Sequence, residues 1–325
     1  MIAARCNEYG DPSLLRLAEV PTPIAKDDEI RIRVVTTTVT SGDVRIRALR
    51  LPRGFGWMGR PVFGFRRPRR PILGTELAGI VDQVGKKVAN FTVGDEVFAY
   101  VGMSMGAHAE YLTLKATAAI ARKPHNLTWN ETAALSFGGS TALDFFRRAG
   151  LASGESLLIN GASGSVGSAA VQIAKARGAL VDGVCSSRNA ELVRALGCDA
   201  TIDYNATNLA TLPYRYDAIL DTVGNLPYEL AGPLLKPKGR LMAVLATLPE
   251  MLRAPWQSKT SGHAVITGPS GESAENLAEL ARLATHNQYR PVIDEIYPFA
   301  FIAEAHRRVD SGRKRGNVVV QISEP

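Results

Sequence analysis

The chain has 325 residues, 46% of them hydrophobic and 21% charged, the balance of a globular protein of two domains or one large one. That composition excludes a disordered chain, and no apolar run approaches the roughly 20 residues needed to span a bilayer. The net charge of +7 is local: Arg45, Arg47, Arg50, Arg53, Arg60, Arg66, Arg67, Arg69 and Arg70 fall between Val44 and Thr75 without a lysine or an acid, and outside that segment acids outnumber bases.

The N-terminal stretch MIAARCNEYGDPSLLRL has no apolar signal core and reads as folded structure. Cys6, Cys185 and Cys198 are too few and too scattered for a disulfide framework or a metal-ligand set. They read as buried small apolar residues of a protein in a reducing cytoplasm. Up to about residue 125 the pattern is β-rich, with strands expected at Glu29–Thr40, Leu77–Val84, Asp95–Tyr100 and Ala109–Leu114 and turns at Gly85 and Gly94. The arginine-rich segment inside this region is interleaved with Phe55, Trp57, Met58, Phe63 and Phe65. It reads as a solvated loop shaped by Gly and Pro, as a lid, or as a contact for an anionic membrane surface; no nucleic-acid motif accompanies it.

From about residue 130 the rhythm changes to alternating helix and strand. An apolar strand at Leu157–Ile159 runs into a turn holding Gly161, Gly164 and Gly167, a helix follows, and a second strand covers Leu180–Val184. This is the βαβ setting in which such glycines cradle the pyrophosphate of a dinucleotide at a helix N-terminus. With Ser163, Ser165 and Val166 they form the candidate cofactor turn. After the second strand stand Ser186, Ser187 and Arg188 instead of a carboxylate. Hydroxyls with a guanidinium suit the 2′-phosphate of NADPH, where a carboxylate would hold the ribose of NAD. Asp182 has nearly the spacing of a ribose acid but lies inside the strand, so it reads as a structural polar residue. A helix at Ala190–Leu196 follows, with Asn189 as its N-cap and Gly197 at its end. Strands at Ala200–Ile202, Asp217–Asp221 and Arg240–Leu245, and a helix near Pro227–Leu235, lead to an α/β fold with six parallel strands. The tail reads as a helix at Glu272–Ala284, a strand at Val292–Ile296, a helix at Ile302–Asp310 and a strand at Asn317–Ile322 that returns to the first domain.

Several of these segments together resemble the medium-chain dehydrogenase/reductase superfamily: PILGTELAGIVDQVG (71–85), VGDEVFAY (93–100), AHAEYLTL (107–114), INGASGSVGSAAVQIAKARGA (159–179), CSSRNAELVRALGCDATIDY (185–204), YDAILDTVGN (216–225) and RGNVVVQI (315–322). The chain is most similar to the zinc-free quinone oxidoreductase branch of NADPH-dependent reductases. The resemblance implies a GroES-like β-rich substrate domain over 1–125, completed by 265–325, and a Rossmann NADPH-binding domain over 126–264, with the cofactor in the cleft between them and a homodimer as the assembly. Where zinc alcohol dehydrogenases carry ligands in C-G-x-D and G-H-E patterns, this chain has Thr40-Ser41-Gly42-Asp43 and Gly74-Thr75-Glu76, with Phe137 and Gly138 near the third position. Thiolate and imidazole donors are missing there, so no metal is expected.

Without a Lewis acid the accessible substrates are quinones and α,β-unsaturated ketones or aldehydes. The resemblance points to Thr40, Asp43 and Thr141 as the polar groups of the reaction site, Thr40 standing where quinone reductases often carry Asn. It places Asn317 near the cofactor and Tyr204 beside the adenine or its 2′-phosphate. On local grounds Thr141 also reads as a helix cap and Tyr204 as a core residue. A metal-free alcohol/ketone oxidoreductase, and a non-catalytic NADPH-binding protein held at a membrane by the arginine segment, are the alternatives. His108, His125, His263, His286 and His306 show no ligand or catalytic spacing.

Overall fold

The computed structural model describes residues 1–213 and 215–325. The chain forms two compact units, one of Met1–Leu51, Gly56–Ser140 and Glu272–Pro325, the other of Pro52–Phe55 and Thr141–Gly271.

The first unit opens with a β1–β2 pair (Ile2–Cys6 and Leu15–Glu19) and the long strand β3 (Glu29–Val39). In β3 the alternation of Ile30, Ile32 and Val34 buries one face, and beyond Val34 every side chain is buried because the strand lies in mid-sheet. Helices α1 (Ser41–Ala48) and α2 (Gly56–Phe63) follow, then β4 (Glu76–Val84), β5 (Glu96–Tyr100), β6 (Tyr111–Lys115) and β7 (Ile120–Arg122). Both helices lie in the segment that the sequence presents as loop. α1 is short and carries a capping box, in which Thr40 and Asp43 bond each other's backbone, so its signal is in its cap and not in an apolar stripe. α2 contains Pro61, which masks it. Helices α3 (Trp129–Ala133) and α4 (Ser136–Ala149) come next. Residues 126–140 belong to the first unit through the Asn126 bond to the Ala284 carbonyl and the Glu131–Arg290 ion pair.

The second unit begins within α4 and continues with β8 (Ser156–Asn160), α5 (Ser165–Ala176), β9 (Leu180–Cys185), α6 (Ala190–Ala195), β10 (Ala200–Asp203), β11 (Tyr216–Asp221), α7 (Tyr228–Ala231), β12 (Leu235–Ala243), α8 (Leu248–Ser261) and β13 (Ala264–Ile266). The six strands are parallel in the order β10-β9-β8-β11-β12-β13. That is the doubly wound order with its reversal between β8 and β11, where ligands bind beyond the strand C-termini. α8 and β13 leave little trace in the sequence, since Pro249 and Pro255 interrupt the helical pattern. Thr247 caps α8 through a capping box with Glu250, and Pro249 sits in its first turn, where proline fits.

The chain then returns to the first unit with α9 (Ala274–Thr285), β14 (Ile293–Pro298), α10 (Ile302–Asp310) and β15 (Asn317–Gln321). β15 pairs with β3 and completes the larger sheet. Val318 and Val320 join Val39, Ile302 and Val309 in one apolar core there. Arg47 departs from the exposed arginine segment: it is 1% exposed and pairs with Asp310. His108 and His306 are fully buried with their rings edge-on at 5.5 Å, and burial lowers the His306 pKa well below its ordinary value. All three cysteines are buried thiols.

Candidate active site

In the second unit, β8 ends in a turn that only glycine permits. Gly161 has φ +85°, and a Cβ there would lie 2.5 Å from the Thr222 hydroxyl. A Cβ on Gly167 would lie 2.1 Å from the Gly161 carbonyl oxygen, so this glycine lets α5 press against the strand end. Gly164 is the N-cap of α5 and offers no capping side chain. The helix N-terminus is thus open to an anion, with half-buried Ser163 and Ser165 beside it and Val166 turned into the core. These features fit a dinucleotide pyrophosphate.

Ser186, Ser187 and Arg188 follow β9, Ser186 half-buried and the other two exposed. Arg188 has no ion pair among the described residues. Asn189 takes the N-cap position of α6, but its side chain makes no capping bond; its amide donates to Ser163 Oγ at 3.0 Å and ties this loop to the glycine turn. The Asp203 carboxylate is held below its ordinary pKa range first by the Asn205 backbone, and Ser187 adds to this. Tyr204 is 57% exposed and belongs to the surface, not the core. Asp182 accepts the Tyr216 hydroxyl at 2.8 Å, a bond within the sheet.

Asp221 is a hub that the sequence reading passed over. Its carboxylate accepts the Asn160 amide and the backbone N–H groups of Val223, Gly224 and Leu226, at 2.9–3.1 Å. It thereby joins the ends of β8 and β11 on either side of the strand reversal. A buried acid ending a strand just before a TVGN turn was its available signal. Thr141 lies more than a turn inside α4, so it is not a cap; its hydroxyl is 3.3 Å from that of Ser270.

In the first unit Thr40, Asp43 and Thr75 converge. Thr40 Oγ1 donates to Asp43 at 2.6 Å and lies 3.2 Å from the Thr75 hydroxyl. Asp43 is fully buried; one oxygen takes the Thr40 hydroxyl and N–H, the other takes the Gly74 N–H at 2.9 Å. Its geometry is that of a positioning residue, holding the Thr40 and Gly74–Thr75 segments together. Asn317 is buried at the start of β15 and donates to the Val292 carbonyl.

Glu76 is the residue of this unit that sequence reasoning undervalued. It is fully buried, accepting the Thr38 hydroxyl at 2.6 Å and the Phe137 N–H at 2.5 Å. Burial pushes its carboxyl up to about 7, against those hydrogen bonds. A group poised near neutrality can hold or release a proton within the working pH range.

A GroES-like sheet unit, a parallel dinucleotide-type sheet with a strained glycine turn, and a cluster of buried hydroxyls define an oxidoreductase built on a Rossmann fold. The comparisons place it further. One family model, the alcohol dehydrogenase GroES-like domain, matches residues 26–125, and another, described as zinc-binding dehydrogenase, matches residues 196–320. The chain is 30% identical to a mitochondrial NAD(P)H oxidoreductase of Mus musculus, across 97% of this chain and 88% of the relative. It is 28% identical to a chloroplastic NADPH-dependent alkenal/one oxidoreductase of Arabidopsis thaliana, across 97% and 78%. The solved quinone oxidoreductase of Coxiella burnetii superposes with a TM-score of 0.88 at 26% identity, across 99% of both chains. The chain belongs to the medium-chain dehydrogenase/reductase superfamily, in its quinone oxidoreductase-like branch.

Proposed function

We propose that the chain is a zinc-independent reductase that uses NADPH to reduce a quinone or an α,β-unsaturated carbonyl. The observation that carries the cofactor choice is the exposed Arg188 guanidinium, which has no ion pair among the described residues, with Ser186 at the end of β9. A 2′-phosphate placed there receives charge-assisted hydrogen bonds. Asp203, at the end of the neighbouring strand β10, accepts the Asn205 N–H at 2.9 Å. The α5 N-terminus at Gly164, with Ser163 and Ser165, holds the pyrophosphate, and exposed Tyr204 lies along the adenine side. When bound, the cofactor supplies hydride.

The donor set does not fit zinc. The hydroxyls of Thr40 and Thr75 and the backbone of Phe137 offer neither thiolate nor imidazole, and both oxygens of Asp43 and of Glu76 accept internal hydrogen bonds. Among the described residues no group of three or more His, Cys, Asp or Glu could hold a metal. Reduction then relies on substrates whose conjugation spreads the incoming charge onto a carbonyl oxygen, which a hydroxyl donor such as Thr141 stabilises; the Thr40 proton is already given to Asp43. The names of the relatives support this substrate class. A homodimer is part of the same proposal; Leu252 and Trp256, 72% and 67% exposed on α8 beside the edge strand β13, support self-association.

The test is NADPH oxidation measured in parallel with a quinone, an enone and a simple ketone, before and after dialysis against a strong chelator. Turnover of the first two, unchanged by the chelator, is expected. Turnover of the ketone alone, or loss of rate on chelation, overturns the proposal; NADPH binding without any turnover favours a non-catalytic role.

A further inference from the structure

α2 and the loop after it reverse the usual surface pattern. Gly59 is buried against Leu49 and Leu51, and Phe63 packs on the core of Cys6, Leu15, Ile46, Leu73 and Met105. The outward surface of the helix carries Trp57 and Val62, 73% and 49% exposed, with Arg60 between them, and Phe65 continues it at 64%. The loop is held in shape: Arg69 N–H donates to the Phe63 carbonyl at 2.6 Å, and Gly64, at φ +125°, has the Arg67 carbonyl where a Cβ would be. Arg66, Arg67 and Arg69, together with Arg5, line an open pocket of about 550 Å³ there.

Arg60, Arg66, Arg67, Arg69 and Arg70 are exposed, and among the described residues none of them pairs with a carboxylate. Arg60, Arg69 and Arg70 each donate to a backbone carbonyl, of Phe65, Pro61 and Ser104. Those bonds orient the guanidinium groups without neutralising them. The face thus combines cations that lack counterions with apolar side chains that lack cover. A solvated loop accounts for the first and not the second. A nucleic-acid strand would use the arginines and aromatic rings but gives the aliphatic Val62 no partner. The interface of an anionic bilayer satisfies all three: phosphates for the guanidiniums, the headgroup boundary for Trp57, and acyl chains for Val62 and Phe65.

We propose that this face docks on an anionic lipid surface, the pocket arginines holding headgroup phosphates and Trp57, Val62 and Phe65 entering the acyl boundary. Among the described residues no helix is long and apolar enough to cross a membrane, so the contact is peripheral. It stands independently of the hydride-transfer reading.

The test is co-sedimentation of the full chain with phosphatidylcholine vesicles, with and without phosphatidylserine, at low and high salt. Binding is expected only to the anionic vesicles, and salt weakens it. Each cation at such a surface is worth about fivefold in partitioning, so Arg66→Ala with Arg67→Ala lowers binding about 25-fold. Trp57→Ala with Phe65→Ala lowers it while leaving the charge intact. Circular dichroism verifies that both variants are folded. No binding by the unaltered chain, equal binding to neutral vesicles, or variants that bind as the parent does overturns the proposal. So does displacement by millimolar inorganic phosphate, or tighter binding to a single-stranded oligonucleotide than to vesicles.

Discussion

Replacing Glu76 with Gln is expected to remove a pH dependence of stability that the parent chain carries between pH 5 and 8. The Glu76 carboxyl is fully buried and is raised from 4.5 to about 7 in the folded state, chiefly by desolvation. Between those two values the folded chain keeps a proton that the unfolded chain has released. Stability therefore falls as pH rises, with a slope approaching about 1.4 kcal/mol per pH unit, and levels off above pH 7. Integrated from pH 5 to pH 8, the loss due to this one group is about 2.5 kcal/mol. Gln occupies nearly the same volume, its oxygen can accept the Phe137 N–H, and its amide can donate to the Thr38 hydroxyl. The cost of rearranging these bonds is about 1 kcal/mol and does not vary with pH. The assay is urea unfolding of both proteins at pH 5, 6, 7 and 8, read as the difference between them so that other titrating groups cancel. The variant should gain on the parent as pH rises. Parallel profiles would refute the argument, because they would mean that Glu76 titrates alike in the folded and unfolded chains.

Gly167→Ala places its Cβ 2.1 Å from the Gly161 carbonyl oxygen and 2.8 Å from Ala162 Cα, both backbone atoms that cannot swing aside. The turn must open, at a cost of about 1–3 kcal/mol, and NADPH binding followed by cofactor fluorescence should be lost; unchanged affinity and melting temperature would contradict the close approach. Arg188→Ala should weaken NADPH by roughly 10- to 100-fold, the worth of charge-assisted hydrogen bonds, and leave NADH nearly untouched. Equal losses for both cofactors would remove the phosphate assignment.

The Rossmann unit was legible because its signals are local. Gly161, Gly164 and Gly167 stand between two apolar strands, and the strands and helices between them and β12 follow from apolar runs and from periodicity. β15 was legible as an apolar run, and it pairs with β3 as its return to the first domain required. α2 and α8 were not legible, because Pro61 and Pro255 break the helical pattern. The same division holds within the site. The sequence nominated Thr40 and Asp43 but could not show that the Asp43 oxygens are already taken by Thr40 and Gly74.

By itself the sequence determined the fold class, the dinucleotide turn and the absence of thiolate and imidazole at the family's zinc positions, since each depends on which residues stand at short spacings. Only the tertiary structure decided the state of individual groups. Asn189 bonds Ser163 instead of capping its helix, and Arg47 leaves the arginine surface for a buried pair with Asp310. Glu76 keeps its proton to about pH 7. These outcomes depend on desolvation and on partners far along the chain, and the folded structure alone brings those partners within reach.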